Sequence, residues 1–322
     1  MQFVSHIESQ DDCFVAECPP PLPDKNEVLV AVTAFGINRA DLLQKQGKYP
    51  APAGASDILG MEVSGVIEAV GQGVDKSCIG RPVCVMVTGG GYAQFVCVPV
   101  EHLIPVPSQF DIVTAAALPE VFLTAYQALF SIANLKPQQK VLIHAGASGV
   151  GTAAIQLARY KGAAVAVTAS SQAKLKQCEA LGAQLAINYQ THDFAEGLKS
   201  AKFFPDVIID FVGEGHLQKN LQIIALDGKI VQLAMLGGRF VTQLDMAKVL
   251  AKRVTLFAST LRNRSDEYKA LLVSEFIKDF GTAIESGAIK PLIDTVFEVS
   301  EINIAHQRMA KNDNIGKFVV KW

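Results

Sequence analysis

Val141-Leu142-Ile143-His144-Ala145-Gly146-Ala147-Ser148-Gly149-Val150-Gly151 is the stretch on which the fold turns. An apolar triplet enters a glycine-rich turn, and the apolar run from Gly151 to Lys161 reads as the helix that leaves it. Glycines in that setting permit a tight turn and close approach of backbone to a pyrophosphate. The helix N-terminus then offers free N–H groups and positive dipole potential to the phosphates. The pattern is G-x-S-x-x-G, with Ser148 where a second glycine usually lies. A plain βα turn would also produce it, and the flanking strand and helix are what favour a dinucleotide site. Ala147, Ser148, Gly149 and Val150 are the expected pyrophosphate contacts.

Downstream, strands and helices alternate. Ala164 to Thr168 reads as a strand, followed by a helix through Leu181 that stops at Gly182, and Ala186-Ile187 as a third strand. Val207 to Phe211, Lys229 to Leu233 and Val254 to Ala258 complete a parallel, doubly wound sheet of the α/β class. NAD-binding turns commonly carry an acid about 20 residues on, at the end of the second strand. Here the chain continues Thr168-Ala169-Ser170-Ser171-Gln172-Ala173-Lys174, with no acid. Ser170, Ser171 and Lys174 suit a 2′-phosphate, which a carboxylate would repel, so NADPH is expected over NADH. A lysine that merely solvates a helix face is the alternative for Lys174. Val212-Gly213 and Met235-Leu236-Gly237-Gly238 follow strands, at the carboxyl edge where open sheets bind ligands.

Upstream, short strands alternate with Gly and Pro punctuation. Val28 to Val32 and Met61 to Val70 are two. Arg81 to Val87 and Tyr92 to Val98 are expected to pair across three glycines. Leu118 to Asn134 has helical spacing. Beyond Leu261 come an amphipathic helix, Glu267 to Phe280, and a last strand, Phe318-Val319-Val320.

At 322 residues the chain exceeds what one core usually serves, and 50% hydrophobic with 19% charged residues is the profile of a well-buried enzyme. A net charge of −2 with scattered Lys and Arg argues against nucleic acid as a partner. The first residues do not read as a signal peptide, and no apolar run approaches the roughly 18 residues of a membrane span. Six cysteines without C-x-x-C spacing read as reduced thiols of a cytoplasmic protein. His144 reads as a satisfied structural histidine.

Asn38-Arg39-Ala40-Asp41, Gly60-Met61-Glu62, Gly89-Gly90-Gly91-Tyr92-Ala93, Leu123-Thr124-Ala125-Tyr126 and the glycine turn stand in the order found in medium-chain quinone oxidoreductases. The chain resembles the zinc-free members of that superfamily over almost its whole length. HAGASGVGTAAIQLA, ALDGK and NIGK are most similar to the tumour-suppressor-inducible type. The resemblance implies a GroES-like, β-rich catalytic domain split around a Rossmann domain, with expected boundaries 1–118, 119–261 and 262–322, usually in a homodimer. It places the zinc ligands of the alcohol-dehydrogenase branch at Asn38, Met61 and Glu120, and its proton-relaying hydroxyl at Ala40. An amide, a thioether and one carboxylate make a poor zinc site. Glu62 is read as an ion-pair partner.

Without a Lewis acid, a ready hydride acceptor is needed, and quinones fit. The resemblance places Tyr49 beside the nicotinamide, where its phenol could orient substrate or donate a proton. Asn38 and Thr124 could hydrogen-bond nearby or satisfy local backbone. Tyr189 is expected to flank the adenosine, and Asn314 of NIGK to approach the cofactor. The expected activity is NADPH-dependent quinone reduction without metal. Reduction of an activated C=C bond in an enone, enal or enoyl thioester is the nearest alternative, and a non-catalytic, crystallin-like NADPH-binding protein is one of another class.

Overall fold

Strands β1 (Gln2–His6) and β2 (Cys13–Glu17) pair antiparallel at the start of the chain. The β-branched run from Val28 extends into β3 (Glu27–Ile37), the centre of a seven-stranded sheet. After helix α1 (Arg39–Lys45), strands β4 (Glu62–Val70), β5 (Pro82–Met86), β6 (Phe95–Pro99) and β7 (Ile104–Pro105) build that sheet outward. The computed structural model describes residues 1–7 and 12–322, which fall into two units, Met1–Leu123 with Leu261–Trp322 and Thr124–Thr260.

One pairing differs from the sequence expectation. β5 pairs with β4 and β7, whereas β6 runs antiparallel to β3, with Ala31 opposite Phe95. Gly89-Gly90-Gly91 is therefore not a hairpin turn. Its residues lie against 58–60, the amides of Gly90 and Tyr92 donating to the carbonyls of Ile58 and Leu59. A Cβ on Gly91 would sit 2.9 Å from the Gly60 carbonyl carbon, so the glycines serve close backbone approach. Tyr92 precedes β6 and is fully buried, its ring 4.4 Å from that of Phe35.

Helix α2 (Ile112–Ala115) precedes α3 (Pro119–Tyr126), which continues as a π-helical turn, Gln127–Ile132. The second unit follows with β8 (Lys140–Ile143), α4 (Gly149–Tyr160), β9 (Ala164–Ala169), α5 (Gln172–Ala180), β10 (Leu185–Asn188) and α6 (Phe194–Ser200). β11 (Val207–Asp210), α7 (Glu214–Ile223), β12 (Lys229–Gln232), α8 (Met246–Lys252) and β13 (Thr255–Ala258) complete it. The six strands are parallel, in the order β10-β9-β8-β11-β12-β13. Val141-Leu142-Ile143 and the whole of β11 are buried, as a sheet covered on both faces requires. Strand order reverses between β8 and β11, so their carboxyl ends form the crevice where such sheets take ligands.

The chain then returns to the first unit. α9 (Asp266–Glu285), capped by Ser265, buries Leu272, Val273, Phe276 and Phe280. β14 (Ile293–Glu298), which sequence pattern did not reveal, pairs parallel with β15 (Lys317–Lys321) across α10 (Ile302–Ala310). β15 lies antiparallel to β3, and Phe318 and Val320 join Val30, Phe35 and Val85 in the core.

Candidate active site

Each unit carries its own set of polar groups. In the second, the turn after β8 has the geometry its sequence suggests. A Cβ on Gly151 would strike the Ala145 carbonyl oxygen, and one on Gly146 would lie 2.7 Å from Val167 Cβ, so both positions require glycine. Ser148 is the N-cap of α4, its Oγ accepting from the Gly151 amide at 3.1 Å. Among the described residues the amides of Gly149 and Val150 make no hydrogen bond, and they sit at the positive end of the helix. These residues fit a pyrophosphate. At the end of β9, Ser170 and Ser171 are partly buried and no acid is present. Ser171 Oγ caps α5 by accepting from the Lys174 amide at 3.4 Å, which uses one lone pair and leaves its O–H to donate. The exposed Tyr189 presents its ring edge-on to His216 at 6.3 Å.

A buried polar chain lies beneath these loops. His144 Nδ1 is 3.0 Å from Thr168 Oγ1, and its Nε2 is 2.8 Å from Asn220 Oδ1. Asn220 Nδ2 donates to Asp210 Oδ2 at 2.8 Å, and Asp210 Oδ1 accepts from the amides of Val212 (2.6 Å) and Gly213 (3.1 Å). Burial pushes His144 down to about 4, so it is neutral at physiological pH. Burial also raises the Asp210 carboxyl, against the lowering effect of the two amides. Gly237 in turn donates to the Val212 carbonyl, and Leu236 to that of Phe211, so the β12 loop is tied to the β11 loop. Leu236 itself is exposed. Asp210 and Asn220 escaped the sequence reading. An acid that ends a strand at the reversal of the sheet was the available signal for the first.

In the first unit Asn38, the residue before α1, is buried and engaged on both sides of its amide. Its Nδ2 donates to Glu62 Oε1 at 3.0 Å, and its Oδ1 accepts from Lys317 Nζ at 2.6 Å. Lys317 Nζ also donates to the Ile37 carbonyl at 2.7 Å and lies 2.6 Å from Glu62 Oε1. Glu62 Oε2 takes the Glu120 amide at 3.0 Å. Glu62 is 0% and Lys317 3% exposed, so this is a fully desolvated ion pair. Asp41 sits beside it, accepting from the Asn38 amide (2.7 Å) and the Tyr92 hydroxyl (3.0 Å), and burial pushes it up to about 6.

Asn38, Met61 and Glu120 do not fit a zinc ion. The Asn38 oxygen already holds an ammonium, that ammonium neutralises the adjacent carboxylate, and Met61 offers only a thioether. Among the described residues no group of three or more His, Cys, Asp or Glu side chains could hold a metal.

Tyr49 is partly buried, with the Arg262 guanidinium 5.5 Å from its ring centroid. Burial raises the phenol's pKa although Arg262 lowers it, so the group is a proton donor at neutral pH. Asn314 turns its amide inward, Nδ2 donating to the Gly316 carbonyl at 2.7 Å. Thr124 is partly buried on α3.

The comparisons with known proteins agree with this architecture. Residues 24–108 match the alcohol dehydrogenase GroES-like domain, and residues 149–278 match the zinc-binding dehydrogenase family. The synaptic vesicle membrane protein VAT-1 homolog of Danio rerio is 32% identical over 93% of this chain, which spans 65% of that protein's length. A 2-haloacrylate reductase of Burkholderia sp is 30% identical over 99% of this chain and 98% of its own, and the quinone oxidoreductase of Rattus norvegicus 27% over 93% and 90%. Among solved structures, an NAD-dependent alcohol dehydrogenase superposes with a TM-score of 0.87 at 26% identity, covering both chains completely. CurK enoyl reductase gives 0.85 at 27% identity over 99% and 98% of the two chains. A mycobacterial protein in complex with NADPH gives 0.84 at 26% identity over 96% of each.

The fold is a GroES-like domain joined to a Rossmann-type parallel sheet. The chain belongs to the medium-chain dehydrogenase/reductase superfamily of oxidoreductases.

Proposed function

We propose that this chain reduces quinones with NADPH, and does so without a metal. The observation that carries the reading is the buried Lys317–Glu62–Asn38 cluster, in which an ammonium and a carboxylate both engage Asn38, one of the three positions the resemblance gives to zinc ligands. An enzyme with an ammonium there has no Lewis acid to polarise an alcohol oxygen, and an acceptor that becomes aromatic on reduction needs none. When bound, NADPH supplies a hydride to the acceptor. The amides of Gly149 and Val150 would hold its pyrophosphate, and Ser170, Ser171 and Lys174 its 2′-phosphate. Asn38, fixed from both sides of its amide, and Thr124 would border the nicotinamide. Val212, Leu236, Gly237 and Asn314 would border the rest of the cofactor, with Tyr189 at the adenosine.

Tyr49 separates quinone reduction from its nearest alternative. A protonated phenol favours reduction of an activated C=C bond, where hydride reaches one carbon and a proton must reach the other. The likeness to CurK enoyl reductase supports the same reading. Tyr49→Phe should lower turnover of an enone about 100-fold while lowering that of a quinone only a few-fold. Equal losses would remove the phenol from proton transfer.

The discriminating assay is NADPH oxidation by chelator-treated protein with 1,2-naphthoquinone and then a simple enone, repeated with NADH. Fast quinone turnover with NADPH supports the reading. Activity with the enone alone would transfer it to alkene reduction, and tight NADPH binding without turnover would indicate a binding protein of the crystallin kind. Lys174→Glu should shift the NADPH:NADH preference toward NADH by about tenfold or more, because a carboxylate repels the 2′-phosphate. An unchanged ratio would remove Lys174 from cofactor choice.

A homodimer is part of the proposal. β13 is an edge strand of the parallel sheet, and its Leu256 is exposed, as are Phe240 and Leu250. A monomer by light scattering would refute it. No helix among the described residues is long and apolar enough to cross a membrane.

A further inference from the structure

The buried chain Asp210–Asn220–His144–Thr168 has a single polarity. Asp210 Oδ1 is occupied by two backbone amides, so its Oδ2 is the acceptor for Asn220 Nδ2. Asn220 therefore turns Oδ1 toward His144, whose Nε2 must carry the proton. A neutral His144 then accepts at Nδ1, and the Thr168 hydroxyl donates.

Each end of the chain grips a loop at the carboxyl edge of the sheet. Thr168 also accepts the Gly146 amide on its backbone carbonyl at 2.9 Å, so it holds the glycine turn, and His144 opens that turn. Asp210 holds Val212 and Gly213, and Gly213 forms a bridge with Gly238 of the β12 loop. Beyond the backbone ladder, where the His144 amide donates to the Ile209 carbonyl at 3.0 Å, Asn220 on α7 supplies the side-chain hydrogen bonds that join the two ends, and it is itself 0% exposed. Neither loop has another side-chain tie of this kind to the opposite one among the described residues.

We propose that Asn220 is a positioning residue for the dinucleotide, setting the spacing between the pyrophosphate-binding turn and the Val212–Gly213 loop. The inference rests on the reading of this turn as an NADPH site. It concerns the part of the site that spans β8 and β11. The adenosine 2′-phosphate end, at Ser170, Ser171 and Lys174, lies after β9 and outside the span that Asn220 controls.

The test compares two ligands by titration against wild type and Asn220→Leu, which keeps the number and branching of the side-chain heavy atoms but leaves His144 Nε2–H and Asp210 Oδ2 unpaired. NADPH affinity should fall about tenfold. Affinity for adenosine 2′-phosphate, which lacks the pyrophosphate, should change by less than about twofold. Loss of fold would weaken both ligands together. Thr168→Val, which deletes only the hydroxyl at the far end of the chain, should show the same split at a few-fold scale and keeps the test open should Asn220→Leu not fold. Unchanged NADPH affinity, or parallel losses for both ligands in the variants that fold, would overturn the inference. A wild-type protein that binds no NADPH would overturn the cofactor reading and this inference with it, whereas wild-type binding with no split would overturn this inference alone.

Discussion

Lys317→Met should destabilise the first unit by about 3–5 kcal/mol, because it leaves Glu62 buried with no opposing charge. Methionine matches the lysine stem in volume, so packing around β15 changes little and the electrostatic loss dominates. Asn38 loses the donor on its Oδ1 at the same time. Removing both charges in Lys317→Met/Glu62→Gln should recover most of the loss, since a buried ion pair is worth little over a neutral pair of similar shape. Denaturant midpoints of the wild type, the two single variants and the double variant measure this directly. If Lys317→Met melts with the wild type, or if the double variant is no better than the single, the pair does not carry the stability assigned to it.

Acid should unfold the protein from a higher pH than its carboxylates alone would give. His144 is pushed down to about 4 and His306 to about 3 from an ordinary 6.5, in both cases by burial first. His306 lies in a second closed network, its Nε2 3.1 Å from the Tyr92 hydroxyl and its Nδ1 3.8 Å from Cys13 Sγ. Between those values and 6.5 the unfolded chain binds protons that the folded chain does not. The stability held by neutral histidines is therefore complete above pH 6.5 and is lost as pH falls toward 4. The loss is roughly 3 kcal/mol for His144 and somewhat more for His306. Asp41, pushed up to about 6, works in the opposite sense between its unfolded value of 3.8 and 6, and offsets about one of the two histidines. His216, also lowered to about 4, adds to the loss. Denaturant midpoints should be flat from pH 8 to 7 and drop steeply below 6.5, and His306→Gln should flatten part of that slope. A midpoint that holds steady down to pH 4.5 would contradict the prediction.

The parallel sheet was legible because its signals are local. Val141-Leu142-Ile143, Val207-Ile208-Ile209 and Ile230-Val231 are short apolar runs, each followed by a turn and a helical stretch, and the glycine turn carries its own steric reason for Gly146 and Gly151. The pairing of β6 with β3 was not legible. It joins residues 64 (Ala31 and Phe95) to 72 (Glu27 and Pro99) apart, and the glycines between β5 and β6 look like a hairpin until the backbone of 58–60 is seen against them. β14 escaped because Ile293 to Glu298 mixes acids and apolar residues at the edge of the sheet, where only Phe297 is buried.

The candidate site divides in the same way. Motif residues could be found from spacing, but the groups that orient them could not. Lys317 belongs to a quoted motif, yet a lysine in a strand ordinarily faces solvent, and only the return of β15 beside β3 brings it to Asn38 and Glu62. The Asp210 chain draws one residue each from β9, the β8 turn, β11 and α7, positions as far apart as 144 and 220. No window along the sequence contains it.

The interruption of the first unit by the second has a consequence for how the polypeptide matures on the ribosome. All six parallel strands emerge between residues 140 and 258, so that sheet can assemble as soon as its last strand is released. The other sheet waits. β3 and β4 are made early, but β15, the partner along one edge of β3, is made long after them, and β14 has no neighbour until it arrives. For the time needed to translate the about 280 residues from Ile37 to Lys317, at roughly 5–20 residues per second, the Ala34–Ile37 end of β3 stands with open amides and carbonyls along one edge. A nascent chain stalled before Lys317 would expose that edge, together with a carboxylate at Glu62 still lacking its ammonium, and would be the form that chaperones and proteases meet.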